Sequence, residues 1–204
     1  VSLINVSLIA EGSLDEQVLR QLILQSAPHL QAGVCYGKRG RDWMSINLAK
    51  YNQAANSMAF ATLADLERDE CPPTLLQLWF PHGVHPNLRP RIAVRMVESW
   101  LLADREALSQ FLGIAVHHVP HLPDNENNPK QIMVGLARHS RSRIIREDMV
   151  PPPNTPGHVG KNYRGRLEQF VVEKWSAERA QIHSPSLQRA IHSLEQFQPV
   201  LAGH

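Results

Sequence analysis

Residues 3–23 read LINVSLIAEGSLDEQVLRQLI, and their pattern decides the fold. Leu3 to Ala10 is apolar on both faces and rich in β-branched side chains, the composition of a central strand in a parallel sheet. Gly12 and Ser13 break it. Ser13 with Glu16 three positions on fits a capping box, and Val18, Leu19, Leu22 and Ile23 then recur at helical spacing. A strand, a tight turn and an amphipathic helix form the first unit of an α/β chain.

The same unit repeats outward from there. A short strand is expected around Val34 to Tyr36, then the basic turn KRGR at 38–41 and a helix from Asp42 to Ala55. Met58 to Leu66, MAFATLADL, reads as a strand ending in acids. After the Cys71-Pro72-Pro73 break, Thr74 to Trp79 reads as helix, RIAVRMV at 91–97 as strand, and ESWLLADREALSQFL at 98–112 as helix. This β-α-β-α order predicts an open, mostly parallel sheet with helices on both faces. Beyond Gly113, Pro, His, Asn and Gly dominate 117–130 and 150–162, which read as long loops. Helical stretches at 130–139, 163–180 and 185–197 predict a C-terminal helical layer folded onto the sheet. With 204 residues and 43% hydrophobic content, one core is expected rather than two. The predicted organisation is a single domain over 1–204, an α/β core at 1–113 and a loop-rich helical extension at 114–204.

Composition narrows the functional classes. Two cysteines, Cys35 and Cys71, offer neither a disulfide framework nor a CxxC metal pattern, so a reducing compartment, the cytoplasm, is the expected location. The opening apolar stretch is too short for a membrane span and lacks a basic leader, so no membrane partner is expected. No Walker sequence or GxGxxG occurs, leaving ATP and NAD binding by this chain unsupported. Eleven histidines invite a zinc site, but there is no HExxH, and His82, His85, His117, His118 and His121 read as loop histidines.

Acidic residues fall where the predicted strands end, which is where open α/β sheets gather their ligands. Glu11 follows the first strand, Asp65 and Glu67 close the third, and Glu98 follows the fourth at the head of its helix. Asp15, Glu16, Asp69 and Asp104 are secondary candidates. Each site taken alone is also explained by a carboxylate meeting a helix dipole. Crowded together they need a cation to stay ionised, and hard oxygen donors select magnesium or manganese.

These residues carry a resemblance. LIAEGSLDE at 8–16 resembles the first motif of Toprim domains, and LADLERDECPP at 63–73 their second, acidic motif. ESWLLAD at 98–104 resembles a segment of Toprim-like proteins related to the overcoming-lysogenization-defect nucleases. The resemblance implies a Toprim-type nuclease using Mg2+ or Mn2+ to hydrolyse DNA or RNA, as a bacterial defence effector beside a separate ATPase. It implies catalytic roles for Glu11, Asp65, Glu67 and Glu98, with Asp69 as a further metal ligand. Asp65-x-Glu67 departs from the Asp-x-Asp of many members. The alternative is a non-catalytic Toprim-like module that binds nucleic acid or a partner.

A nucleic-acid substrate needs basic residues, because backbone phosphates dominate such contacts. The net charge is only +2, so distribution matters more than the sum. Lys38, Arg39 and Arg41 follow the second strand, Arg138, Arg141, Arg143 and Arg146 form a dense run, and Lys161 follows the proline-rich loop. A solvated charged face is the competing explanation for these runs.

Overall fold

Four apolar stretches become the strands β1 (Ile4–Ala10), β2 (Leu30–Gly37), β3 (Ala59–Asp65) and β4 (Leu88–Ala93) in the computed structural model, which describes residues 3–200. Val1 and Ser2, which open the first apolar stretch, lie outside those residues. All pairings are parallel and the spatial order is β2-β1-β3-β4, an open α/β sheet as expected. The helices α1 (Ser13–Ser26), α2 (Arg41–Ala54), α3 (Pro72–Trp79) and α4 (Val97–Ala103) follow the four strands in turn. The chain steps from β1 outward to β2 and then back across to β3. The carboxyl ends of β1 and β3 therefore flank a topological switch point, where diverging loops leave a crevice.

Side-chain alternation sends each strand's residues to two separate cores. Val6 and Leu8 of β1 with Ala59, Ala61 and Leu63 of β3 face α1 and α4, while Ile9, Phe60 and Ala64 face α2 and α3. The first core is much the larger, because the rest of the chain adds to it. The helices are α5 (Arg105–Leu112), α6 (Pro129–Arg138), α7 (Arg143–Met149), α8 (Tyr163–Glu173), α9 (Ala177–Ala180) and α10 (Pro185–Glu195). Val134, Leu167, Phe170, Leu187 and Phe197 join Leu19, Leu22 and Trp100 in one apolar cluster, and α1 packs against α8, α9 and α10. No helix among the described residues is long and apolar enough to cross a membrane.

Several boundaries differ from the sequence reading. β2 begins at Leu30 rather than Val34, and as an edge strand it is only partly buried, which hides its period. β4 runs over 88–93 rather than 91–97, with Arg89 and Arg91 on one face disguising an edge strand. The helix expected at 98–112 breaks at Asp104, whose buried carboxylate accepts from Ser176 N–H at 2.8 Å and pairs with Arg179 at 2.7 Å. The stretch expected to be helical over 163–180 likewise breaks between Glu173 and Ala177. The capping box does not form: Gly12 is the N-cap of α1. Ser13 Oγ donates instead to Glu168 at 2.5 Å, and Glu16 pairs with Arg20 and Lys38. Helix α7 lies inside the basic run, where charge masked the apolar positions Ile145 and Met149.

Candidate functional site

Three of the four predicted catalytic carboxylates meet at the switch point. Glu11 leaves the end of β1, Asp65 ends β3, and Glu98 opens α4. Asp65 N–H donates to Glu11 Oε1 at 3.3 Å, and Asp65 Oδ1 accepts from Val97 N–H at 2.7 Å, so one residue ties the starts of two units together. Asp15 joins them from the first turn of α1, buried at 8% exposure, so a residue ranked second by sequence belongs to the centre of the group. Gly12 lets the helix start this close: a Cβ there would stand 3.1 Å from Asp15 Oδ2.

Burial and mutual repulsion hold protons on this group. Burial, then the charge of Asp15, push Glu11 up to about 7, against the pull of Arg41 and the Asp65 N–H. Asp15 is pushed up to about 6 by burial and by Glu98, with backbone N–H groups at the helix start and Lys130 drawing it back. Asp65 stands well above the carboxylate range for the same reasons, with Asp15, Glu98 and Glu11 all adding to its burial. Glu98 is 2% exposed. Its Oε1 accepts from Tyr163 Oη at 3.2 Å and stands 3.7 Å from Lys130 Nζ, while Oε2 is buried with no hydrogen-bond partner. A buried carboxylate oxygen without a partner is costly, and a cation is what normally relieves it. Burial and Glu98 also push the Tyr163 hydroxyl well up, so it stays a donor.

Asp15, Asp65 and Glu98 form the floor of a cleft of about 390 Å³ whose walls come from the helical extension. Lys130 at the start of α6 and Lys161, Tyr163 and Arg164 before and within α8 line it, giving an acidic floor under a basic rim. Lys130 and Tyr163 had no distinguishing sequence pattern. The segment that carries Lys161 is fixed by Gly160, where a Cβ would strike the Asp148 carbonyl. The carboxylates are gathered without forming a finished cage: among the described residues, no three His, Cys, Asp or Glu side chains are disposed to hold one ion.

The remaining predicted residues stand apart from this floor. Glu67 is exposed in the turn after β3, at a positive φ of 53°, near enough for its charge to raise Glu11 slightly. Asp69 is paired with Arg41, which also donates to the Asp65 carbonyl, stands 3.9 Å from Glu11 Oε1 and lies over the Trp79 ring. Arg41 is therefore an organiser of the acidic group, and Lys38 is held by Glu16 at 2.9 Å. Arg39 lies by the Trp43 ring. Arg143 pairs with Glu147, and Arg141 is exposed in the turn between α6 and α7. Arg138, Arg146 and Lys161 line a second, neighbouring cavity. Asp104 sits at the α4–α5 junction in its own ion pair and is structural.

Comparison of the chain with protein-family models, curated proteins and solved structures found no match in any of the three.

Proposed function

We propose that this chain is a divalent-cation-dependent phosphodiesterase of the Toprim type, hydrolysing DNA or RNA in the cytoplasm. The observation that carries the reading is the buried carboxylate group at the switch point facing a cleft rimmed by Lys130, Lys161 and Arg164. An acidic floor suits a hard cation and a basic rim suits phosphate oxygens, and few other ligands ask for both within one cleft.

The donor set is all oxygen, and the unpartnered Glu98 Oε2 and the raised proton affinities of Asp15 and Asp65 fit a magnesium or manganese ion. Asp15, Asp65 and Glu98 would hold it only after drawing closer together, since as they stand no three side chains among the described residues are disposed around one ion. Bound there, it would neutralise phosphate charge and acidify a water. Glu11 has a proton affinity near neutrality, which is where a general base works best. Its Oε1 is engaged by Asp65 N–H and faces Arg41, which leaves Oε2 as the oxygen that would take a proton; Glu11 does not itself line the cleft and would act from beside Asp65. Lys130, Lys161 and Arg164 orient the phosphodiester, and Tyr163 holds Glu98 in place. Glu67 and Asp69 are outer members of the group. A separate ATPase as partner in a bacterial defence system rests on the resemblance alone.

A second reading, a non-catalytic module that binds nucleic acid or a partner, draws on the unfinished cage. One assay separates the two. Labelled single-stranded DNA, duplex DNA and RNA are incubated with Mg2+ or Mn2+, with and without any ATPase encoded beside the gene. Wild type is expected to cut, and Glu11→Gln and Asp65→Asn to lose roughly 100-fold or more, the usual worth of a general base. Wild type that never cuts with its partner present leaves the binding module standing, and Glu11→Gln that cuts equally well places the chemistry elsewhere.

A further inference from the structure

Lys161 lines two cavities at once. One is the carboxylate cleft, and the other is a groove of about 650 Å³ bounded by Arg138 at the end of α6, Arg146 of α7, Val150 and the run Pro151-Pro152-Pro153. Among the described residues, the only acid lining the groove is Glu147, which is paired with Arg143 at 2.7 Å. The groove therefore has a basic rim over an apolar wall and adjoins the proposed site across a shared cation.

We propose that this groove seats a single-stranded nucleic acid, one strand passing from the carboxylate cleft over Lys161 and along the proline wall. The inference rests on the phosphodiesterase reading only for which end of the path is reactive. In a duplex the base faces are stacked against one another and only edges and backbone are exposed, so a wall of prolines finds no base face to pack on. A single strand can lay an apolar base face on that wall while its phosphates meet Arg138, Arg146 and Lys161. An extended peptide is disfavoured as occupant, because three successive prolines offer no N–H to pair with an added strand. Their fixed φ also means the wall is ordered before anything binds, so little conformational freedom is lost on docking. Arg146 is itself held in place by donating to the Ser140 carbonyl.

The test is fluorescence anisotropy of the full chain with a labelled thymidine 20-mer and with a duplex of the same length, in EDTA at low salt so that nothing is cut. The single strand is expected to bind at least ~10-fold tighter than the duplex. Arg138→Ala combined with Lys161→Ala should weaken single-strand binding ~10-fold and flatten its salt dependence by roughly 1.4 in slope, about 0.7 for each phosphate no longer neutralised. Pro152→Ser should weaken it a few-fold, roughly the loss of part of one base contact, with the salt slope unchanged. Circular dichroism and the melting temperature of each variant should match wild type, since these side chains are exposed or line the groove. Equal affinity for duplex and single strand, or a double variant that binds as wild type does, overturns the groove. A chain that prefers single strands yet cuts nothing sinks the phosphodiesterase reading and keeps the groove. One that cuts duplex DNA while the double variant binds normally does the reverse.

Discussion

Replacing Glu11 by Gln should stabilise the metal-free protein at pH 8 and leave it nearly unchanged at pH 5. The Glu11 side chain is only 12% exposed, and its proton affinity rises from 4.5 to about 7 on folding. A raised carboxylate favours the folded state most when protonated. Its contribution is fully present below pH 4.5 and is lost as pH climbs through about 7. The full loss is about 3 kcal/mol, from 1.36 kcal/mol for each pH unit. Gln has the same shape and never ionises, so it escapes that loss. It keeps an acceptor for the Asp65 N–H, and the pull of Arg41 that it gives up is already counted in the net rise. The net expectation is about 3 kcal/mol of added stability at pH 8, shrinking to less than about 1 kcal/mol at pH 5. Urea unfolding of both proteins in a chelating buffer at the two pH values measures it. A Glu11→Gln protein less stable than wild type at pH 8, or a difference independent of pH, would refute the claim that burial and neighbouring charge oppose ionisation here.

Two further outcomes follow from the same geometry. Millimolar Mg2+ should raise the melting temperature of wild type by a few degrees, as any ligand of the folded state alone does, and Asp65→Asn should lose most of that gain; a wild-type melt indifferent to Mg2+ and Mn2+ would count against the ion. Arg179→Ala should cost about 3 kcal/mol in urea unfolding, because it strips the partner from the fully buried Asp104, yet leave cleavage per folded molecule untouched; a selective loss of cleavage would show that the α4–α5 junction bears on the site.

The parallel sheet was legible because β1 and β3 are buried on both faces and announce themselves as unbroken apolar runs ended by acids. The edges were not. β2 and β4 each pair on one side only, and their half-exposed residues, with Pro90 between two arginines, erase the period that marks a strand. Glu11, Asp65 and Glu98 could be ranked from strand ends alone, since topology fixes where those ends go. Asp15 ranks only second in sequence because a helix start at Ser13 does not say which side of its first turn meets the strand ends, and Lys130 and Tyr163 needed the fold of a segment whose loops have no period. The cations Lys38 and Arg41 looked free in sequence, yet their acidic partners, Glu16 and Asp69, are tied to them by tertiary folding.

Segments far apart in the chain meet at the site, through Ser13 on Glu168 and Tyr163 on Glu98. That gives the site a schedule. At about 5–20 residues per second, the ribosome needs roughly 3–13 s to go from Glu98 to Tyr163. Over that interval every carboxylate has been made while α8 and the helices after it have not. Without α8 the acids lie more open to water, where carboxylates ionise in their ordinary range, and the cleft lacks Arg164. Docking of α8 and α10 on α1 is thus the event that turns a patch of surface charge into a buried, rimmed cleft. A ribosome-bound chain therefore lacks the buried cleft until its late helices are made.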